Sequence, residues 1–164
     1  MRARTAVLAI LSFYSPVSIA QYHQNPIVGG VPVYCNGPAG TVFTSYRQTG
    51  DWAKASIDMT PRGALPVILL DPQVFSTLPG PVLQFVYGHE CMHHLLGHVY
   101  GNMNFGMEVH ADCEAAKMLR NQGFLNGSTI RLVASYFQNS PPVPPYYPAG
   151  PERAARILAC FNSP

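Results

Sequence analysis

The sequence predicts a small α+β domain, mainly helical, with a short sheet ahead of its central helix, and three observations carry that expectation. Apolar residues recur at helical intervals through Val82, Leu83, Phe85, Val86, Cys91, Leu95 and Leu96. Ahead of them, residues 41–46 and 52–58 are rich in the β-branched and aromatic types that fit short strands, and residues 66–70 form an apolar run. The chain has 16 prolines and only 11% charged residues, a composition that suits a compact, loop-rich domain.

Arg2 and Arg4 precede an apolar run over residues 6–11, and Ser18 and Ala20 stand where a signal peptidase wants small residues. Residues 1–20 are therefore expected to be a signal peptide and residues 21–164 a single domain. The apolar run falls short of the ~20 residues that a membrane span needs. No cysteine follows Ala20 to carry a lipid. The expected location is secreted or periplasmic, with no membrane span once the signal is cleaved. Losing Arg2 and Arg4 takes the basic residues from ten to eight, level with the eight acidic ones. A neutral chain has no electrostatic footprint for nucleic acid or anionic lipid, so neither is expected as a partner.

Residues 21–40 hold Asn25-Pro26, Gly29-Gly30 and Gly37-Pro38 and are expected to be irregular. Pro79, Gly80 and Pro81 break the chain and start a helix, because proline is tolerated in a first turn. Gly97 is a natural stop. Residues 107–119 are rich in good helix formers and predict a second helix. Residues 126–138 predict a third, with Ile130, Leu132, Val133 and Phe137 on its apolar side. Residues 141–148 carry too many prolines for helix or central strand and suit a stiff, extended wall. A recognition strip for a partner is the alternative for that stretch.

The chemistry concentrates in His89-Glu90-Cys91-Met92-His93, an H-E-x-x-H pattern that falls in the middle of the first helix. Positions i and i+4 share one helix face, so His89 and His93 can offer ring nitrogens to one zinc ion. Glu90 sits beside the first ligand, where it can act as general base on a zinc-activated water. A third ligand is required. The extended pattern H-E-x-x-H-x-x-G-x-x-H would need glycine at 96 and histidine at 99, which here are Leu96 and Val99. Glu108 and Asp112 are also i and i+4, with both carboxylates on one face of the second helix. Glu108 is assigned as the third ligand, and Asp112 as the acceptor of the other ring N–H of a ligand histidine, His89. The fourth position is left to water, as catalytic zinc sites require. His23, His94, His98 and His110 have no assigned ligand role and are expected at the surface or behind the ligands, with His98 held in reserve as a ligand should Glu108 fail.

The run H-E-C-M-H-H-L-L-G-H followed by E-x-x-A-D-C resembles the gluzincins, zinc metallopeptidases whose third ligand is a glutamate on a later helix. It is similar to the group that contains the CAAX prenyl proteases and the bacterial heat-shock membrane proteases, over roughly residues 65–158. The resemblance implies a zincin-like domain holding one Zn2+. It also implies that residues 67–70 form an edge strand, ahead of the H-E-x-x-H helix, on which an extended substrate pairs. A buried strand with no free edge is the alternative. In that group a histidine and a later arginine face the zinc; by position these are Tyr147 and Arg153 here. Tyr147 can donate a hydrogen bond to an oxyanion or be a loop aromatic; Arg153 can serve the site or merely brace the last helix. Those relatives span membranes, which this chain is not expected to do.

Four cysteines allow three pairings. The favoured one is Cys91–Cys113, stapling the two ligand helices, with Cys35–Cys160 tying the N-terminal region to the last helix. A zinc-thiolate site is the alternative. The expected function is a zinc-dependent endopeptidase acting on a peptide or protein substrate. Two alternatives stay open: a catalytically silent zinc-binding or regulatory protein, and a hydrolase of a non-peptide amide such as a cell-wall bond. The oligomeric state is left open.

Overall fold

The computed structural model describes residues 22–37 and 40–164; the expected signal peptide lies outside them. In chain order the strands are β1 (Tyr22–His23), β2 (Ile27–Val28), β3 (Val31–Pro32), β4 (Asn36–Gly37), β5 (Gly40–Thr41), β6 (Phe43–Tyr46), β7 (Ala53–Thr60) and β8 (Gly63–Leu70). The helices are α1 (Pro72–Phe75), α2 (Gly80–Leu95), α3 (Phe105–Asn121), α4 (Gly127–Gln138) and α5 (Gly150–Asn162), with a 3-10 turn at His98–Tyr100 between α2 and α3. This is the small α+β domain that the sequence predicts. Among the described residues no helix is long and apolar enough to cross a membrane.

The main sheet has the order β1-β6-β8-β7. A tight turn at Pro61-Arg62 folds β7 back on β8 in antiparallel register, Thr60 opposite Gly63 through Ala53 opposite Leu70. On its other side β8 pairs in parallel with β6. The run at 67–70 is therefore an interior strand, which corrects its expected place at the edge. Its composition explains the outcome: Val67, Ile68 and Leu70 are wholly buried, and an unbroken apolar run has no polar residue to turn to water. The free edge belongs to β7, whose sequence Ala-Lys-Ala-Ser-Ile-Asp-Met-Thr alternates small or apolar with polar residues, as a half-solvated strand does.

Helix α2 is the centre of the molecule. Val82, Gln84, Phe85, Val86, Tyr87, Gly88, His89, Cys91, Met92 and His93 are all buried, so the helix is covered on nearly every side. It packs against the sheet, α3 and α4, and a buried hydrogen bond at 3.1 Å joins Tyr87 to Thr44 of β6. Gly88 sets the distance to α3: a Cβ there would lie 2.9 Å from a methyl of Leu119. Helix α3 starts at Asn104, whose side chain accepts the N–H of Met107. Helix α5 starts with Gly150 pressed on the end of α4, where a Cβ would come within 2.4 Å of the Phe137 and Gln138 carbonyl oxygens. The expected helices at 107–119 and 126–138 are α3 and α4, each displaced by no more than two residues at its ends.

The disulfides are Cys35–Cys91 and Cys113–Cys160, which corrects the expected pairing. Cys91 lies two residues from His89, about 200° around the helix, so it points away from α3 and toward the N-terminal segment. Cys113 follows Asp112 and turns about 100° off that residue's face, toward α5. Each bond thus ties one of the two helices, α2 or α3, to its own flank. The closed loops span 56 and 47 residues, and on the chain-entropy model each contributes about 4 kcal/mol. Two such bonds are consistent with a secreted or periplasmic location.

Candidate metal centre

The one-turn spacing on α2 brings the Nε2 atoms of His89 and His93 to 2.9 Å from each other. Glu108, in the first turn of α3, places Oε2 3.1 Å from His89 Nε2 and 3.5 Å from His93 Nε2. All three residues are buried, none more than 5% exposed. They form a cluster that can hold a metal ion. The fit rests on the donor set and its spacing. A tetrahedral ion with bonds of ~2.0–2.1 Å keeps its ligands ~3.3 Å apart, and the observed separations bracket that value. Two imidazole nitrogens and a carboxylate that converge at such close range with so little exposure need a shared cation or proton.

Each ligand histidine has a partner for its outer nitrogen. His89 Nδ1 lies 2.9 Å from Asp112 Oδ1, at ion-pair distance though off the line of a well-directed hydrogen bond. Asp112 in turn accepts from Arg153, Nε to Oδ2 at 2.8 Å and Nη2 to Oδ1 at 2.9 Å. The Arg153 guanidinium lies 3.9 Å from the Tyr147 ring centroid and 4.2 Å from that of Phe137. The Tyr147 hydroxyl is 3.2 Å from His89 Nε2, in contact with the cluster itself. Glu90 lines the same cleft, and its Oε2 accepts the backbone N–H of Ala55, on β7, at 2.6 Å.

Charge at the cluster is one-sided, with Glu90, Glu108 and Asp112 against the single guanidinium of Arg153. Burial alone would push His89 down, but Asp112, Glu108 and Glu90 together raise it to about 10. Burial would raise Glu108, yet hydrogen bonds from His89 and His93 hold its carboxyl well below the usual range. Asp112 is likewise depressed against its burial, by Arg153 and His89. Burial first, then the neighbouring carboxylates, drives the Tyr147 phenol far up despite Arg153, so its hydroxyl stays a protonated donor. These surroundings favour positive charge at the cluster.

A cleft of 800 Å³ opens onto the cluster. One wall is β7 with the segment before it, from Gly50 to Ile57; the other includes Phe85, Val86, Glu108, Phe137, Tyr147 and Arg153. The structure therefore brings His89, Glu90, His93, Glu108, Asp112, Tyr147 and Arg153 to one place, with Arg153 committed to Asp112. All four cysteines are in disulfides, so none is a thiolate ligand. His94 bonds the Val67 carbonyl at 3.0 Å, tying α2 to β8. His23 packs on Tyr46, and His110 is exposed. One contact escapes the sequence reading, the Ala55 N–H, a backbone group with no residue signature. His98, expected at the surface or behind the ligands, lies behind His93, Nδ1 to Nδ1 at 3.0 Å.

Protein-family models, curated proteins and solved structures were all compared with this chain, and none matches it.

Proposed function

We propose that the chain is a secreted or periplasmic zinc-dependent endopeptidase of the gluzincin kind. The observation that carries the reading is Glu90, set between a buried His-His-Glu cluster and the free edge of a strand that lines a cleft. His89, His93 and Glu108 would hold the ion, and two imidazoles with a carboxylate suit zinc. Zinc bound there polarises a carbonyl and makes water acidic near neutral pH.

The protein's own groups supply the rest. One oxygen of Glu90 is anchored by Ala55, which leaves the other to take a proton from the attacking water and pass it to the leaving amine. Tyr147, protonated and beside the cluster, donates a hydrogen bond to the developing oxyanion. Arg153 holds Asp112, and Asp112 orients His89. Antiparallel pairing turns alternate residues outward, so Ala53, Ala55 and Ile57 present backbone groups along the cleft. Glu90 occupies the Ala55 N–H, and an extended peptide would pair with the remaining outward carbonyls and the Ile57 N–H. Main-chain pairing of this kind favours a peptide over another amide.

The test is zinc content and cleavage of an unstructured protein such as casein, on oxidised protein, with Glu90→Gln beside the parent. One zinc in both and chelator-sensitive cleavage only in the parent is the expected result. One zinc with no cleavage by the parent would favour a silent metal-binding protein or a narrow-specificity amidase, and no zinc would end the reading.

A further inference from the structure

We propose that His98 is a positioning residue of the metal centre, accepting the Nδ1–H of His93 and so holding that ring's Nε2 lone pair on the ion. The inference rests on the metal reading above. An imidazole that ligates through Nε2 carries its proton on Nδ1, and that proton needs an acceptor. His93 is 2% exposed, so water does not supply one. The Nδ1 atom of His98 does, at 3.0 Å, and His98 is itself only 7% exposed. His98 Nδ1 must then be unprotonated, with its own proton on Nε2.

The local chain explains the contact. Had α2 run on to residue 98, His98 would lie about 140° around the axis from His93 and face elsewhere. Instead Gly97 takes φ +73°, the left-handed region, and starts the 3-10 turn that swings His98 back under the helix end. A Cβ at Gly97 would meet nothing within 4 Å, so glycine is needed there for its backbone angle alone. The two ligand histidines thus have unlike supports. His89 leans on an anion locked by an arginine, and His93 on a neutral ring set by a turn.

The experiment measures zinc affinity by chelator competition for the parent, His98→Ala and His98→Gln, with ring-nitrogen NMR of the zinc-loaded parent. His98→Ala should bind about 10–100-fold more weakly, and His98→Gln should recover part of the loss because its carbonyl can accept the same N–H. The NMR should show His93 protonated on Nδ1 and His98 on Nε2. Metal-free melting temperatures of the three proteins separate loss of fold from loss of support. Zinc binding by His98→Ala within about twofold of the parent, or a protonated His98 Nδ1, would overturn the inference while leaving the metal reading intact. A parent that binds no zinc would overturn both.

Discussion

The two walls of the cleft are built on opposite principles. On the helical side, Glu108 meets His89 and His93 at 3.1 and 3.5 Å, Arg153 pairs with Asp112 at 2.8 Å, and the Tyr147 and Phe137 rings lie against the guanidinium. Nearly every polar atom there has a partner. On the strand side, β7 turns a row of backbone groups outward and keeps Lys54 exposed. One wall is finished and the other awaits pairing. On the proposed function the difference would separate holding the ion from meeting the substrate, and it predicts that mutations on the two walls will fail in different assays.

The largest effect should come from Asp112→Ala, which strips a buried guanidinium and a ligand histidine of their partner at once. Unfolding in urea should show a loss of about 3–5 kcal/mol, with weakened metal binding. The pH dependence follows from the sign of the shift. The folded pKa of Asp112 lies below its ordinary 3.8, so its contribution is complete above that value and drains away as pH falls through it toward the folded pKa. The acid limb of the stability curve should therefore be flatter in the variant. Next in size is Gly150→Ala, whose methyl would run into the Phe137 and Gln138 carbonyls and push α5, with Arg153, off α4. A cost of about 1–3 kcal/mol is expected by the same measurement.

Smallest in stability, and decisive for the comparison, is Ala55→Pro. Proline is tolerated on an edge strand, but here it also removes the N–H that Glu90 accepts, so unfolding should change by only about 1–2 kcal/mol and zinc should stay bound. Turnover should still fall, by about tenfold or more at little-changed KM, because Glu90 loses its anchor. A variant that kept full kcat would mean that the strand wall plays no part in placing the carboxylate.

What was legible in the sequence was what obeys local rules. His89, His93, Glu108 and Asp112 could be paired because helical spacing of four residues fixes which side chains share a face, and Pro79-Gly80-Pro81 marked where the helix begins. The disulfides were not legible. Helical phase alone turns Cys91 away from the His89 and His93 face and so argues against Cys113 as its partner, but which segment covers that far side, and which covers the flank of Asp112, no local pattern records. The edge strand failed for a related reason: residues 67–70 are apolar enough for any buried strand, and only the pairing of β6 on their far side makes them interior. For His98 the sequence leaves surface, supporting and reserve-ligand places open, because the left-handed backbone angle at Gly97 that sets its direction is not a local pattern.

The two disulfides have a further consequence. Their loops, 35–91 and 113–160, do not overlap, and the exposed residues Gly101, Asn102, Met103 and Asn104 lie between them. A single proteolytic nick there would leave two cross-linked pieces with no covalent bond between them. His89 and His93 would travel with one piece, and Glu108, Tyr147 and Arg153 with the other. Whether the nicked protein stays whole on a non-reducing native gel, with and without added zinc or a chelator, then reads how much of the junction is packing and how much a metal ion at the cluster would add.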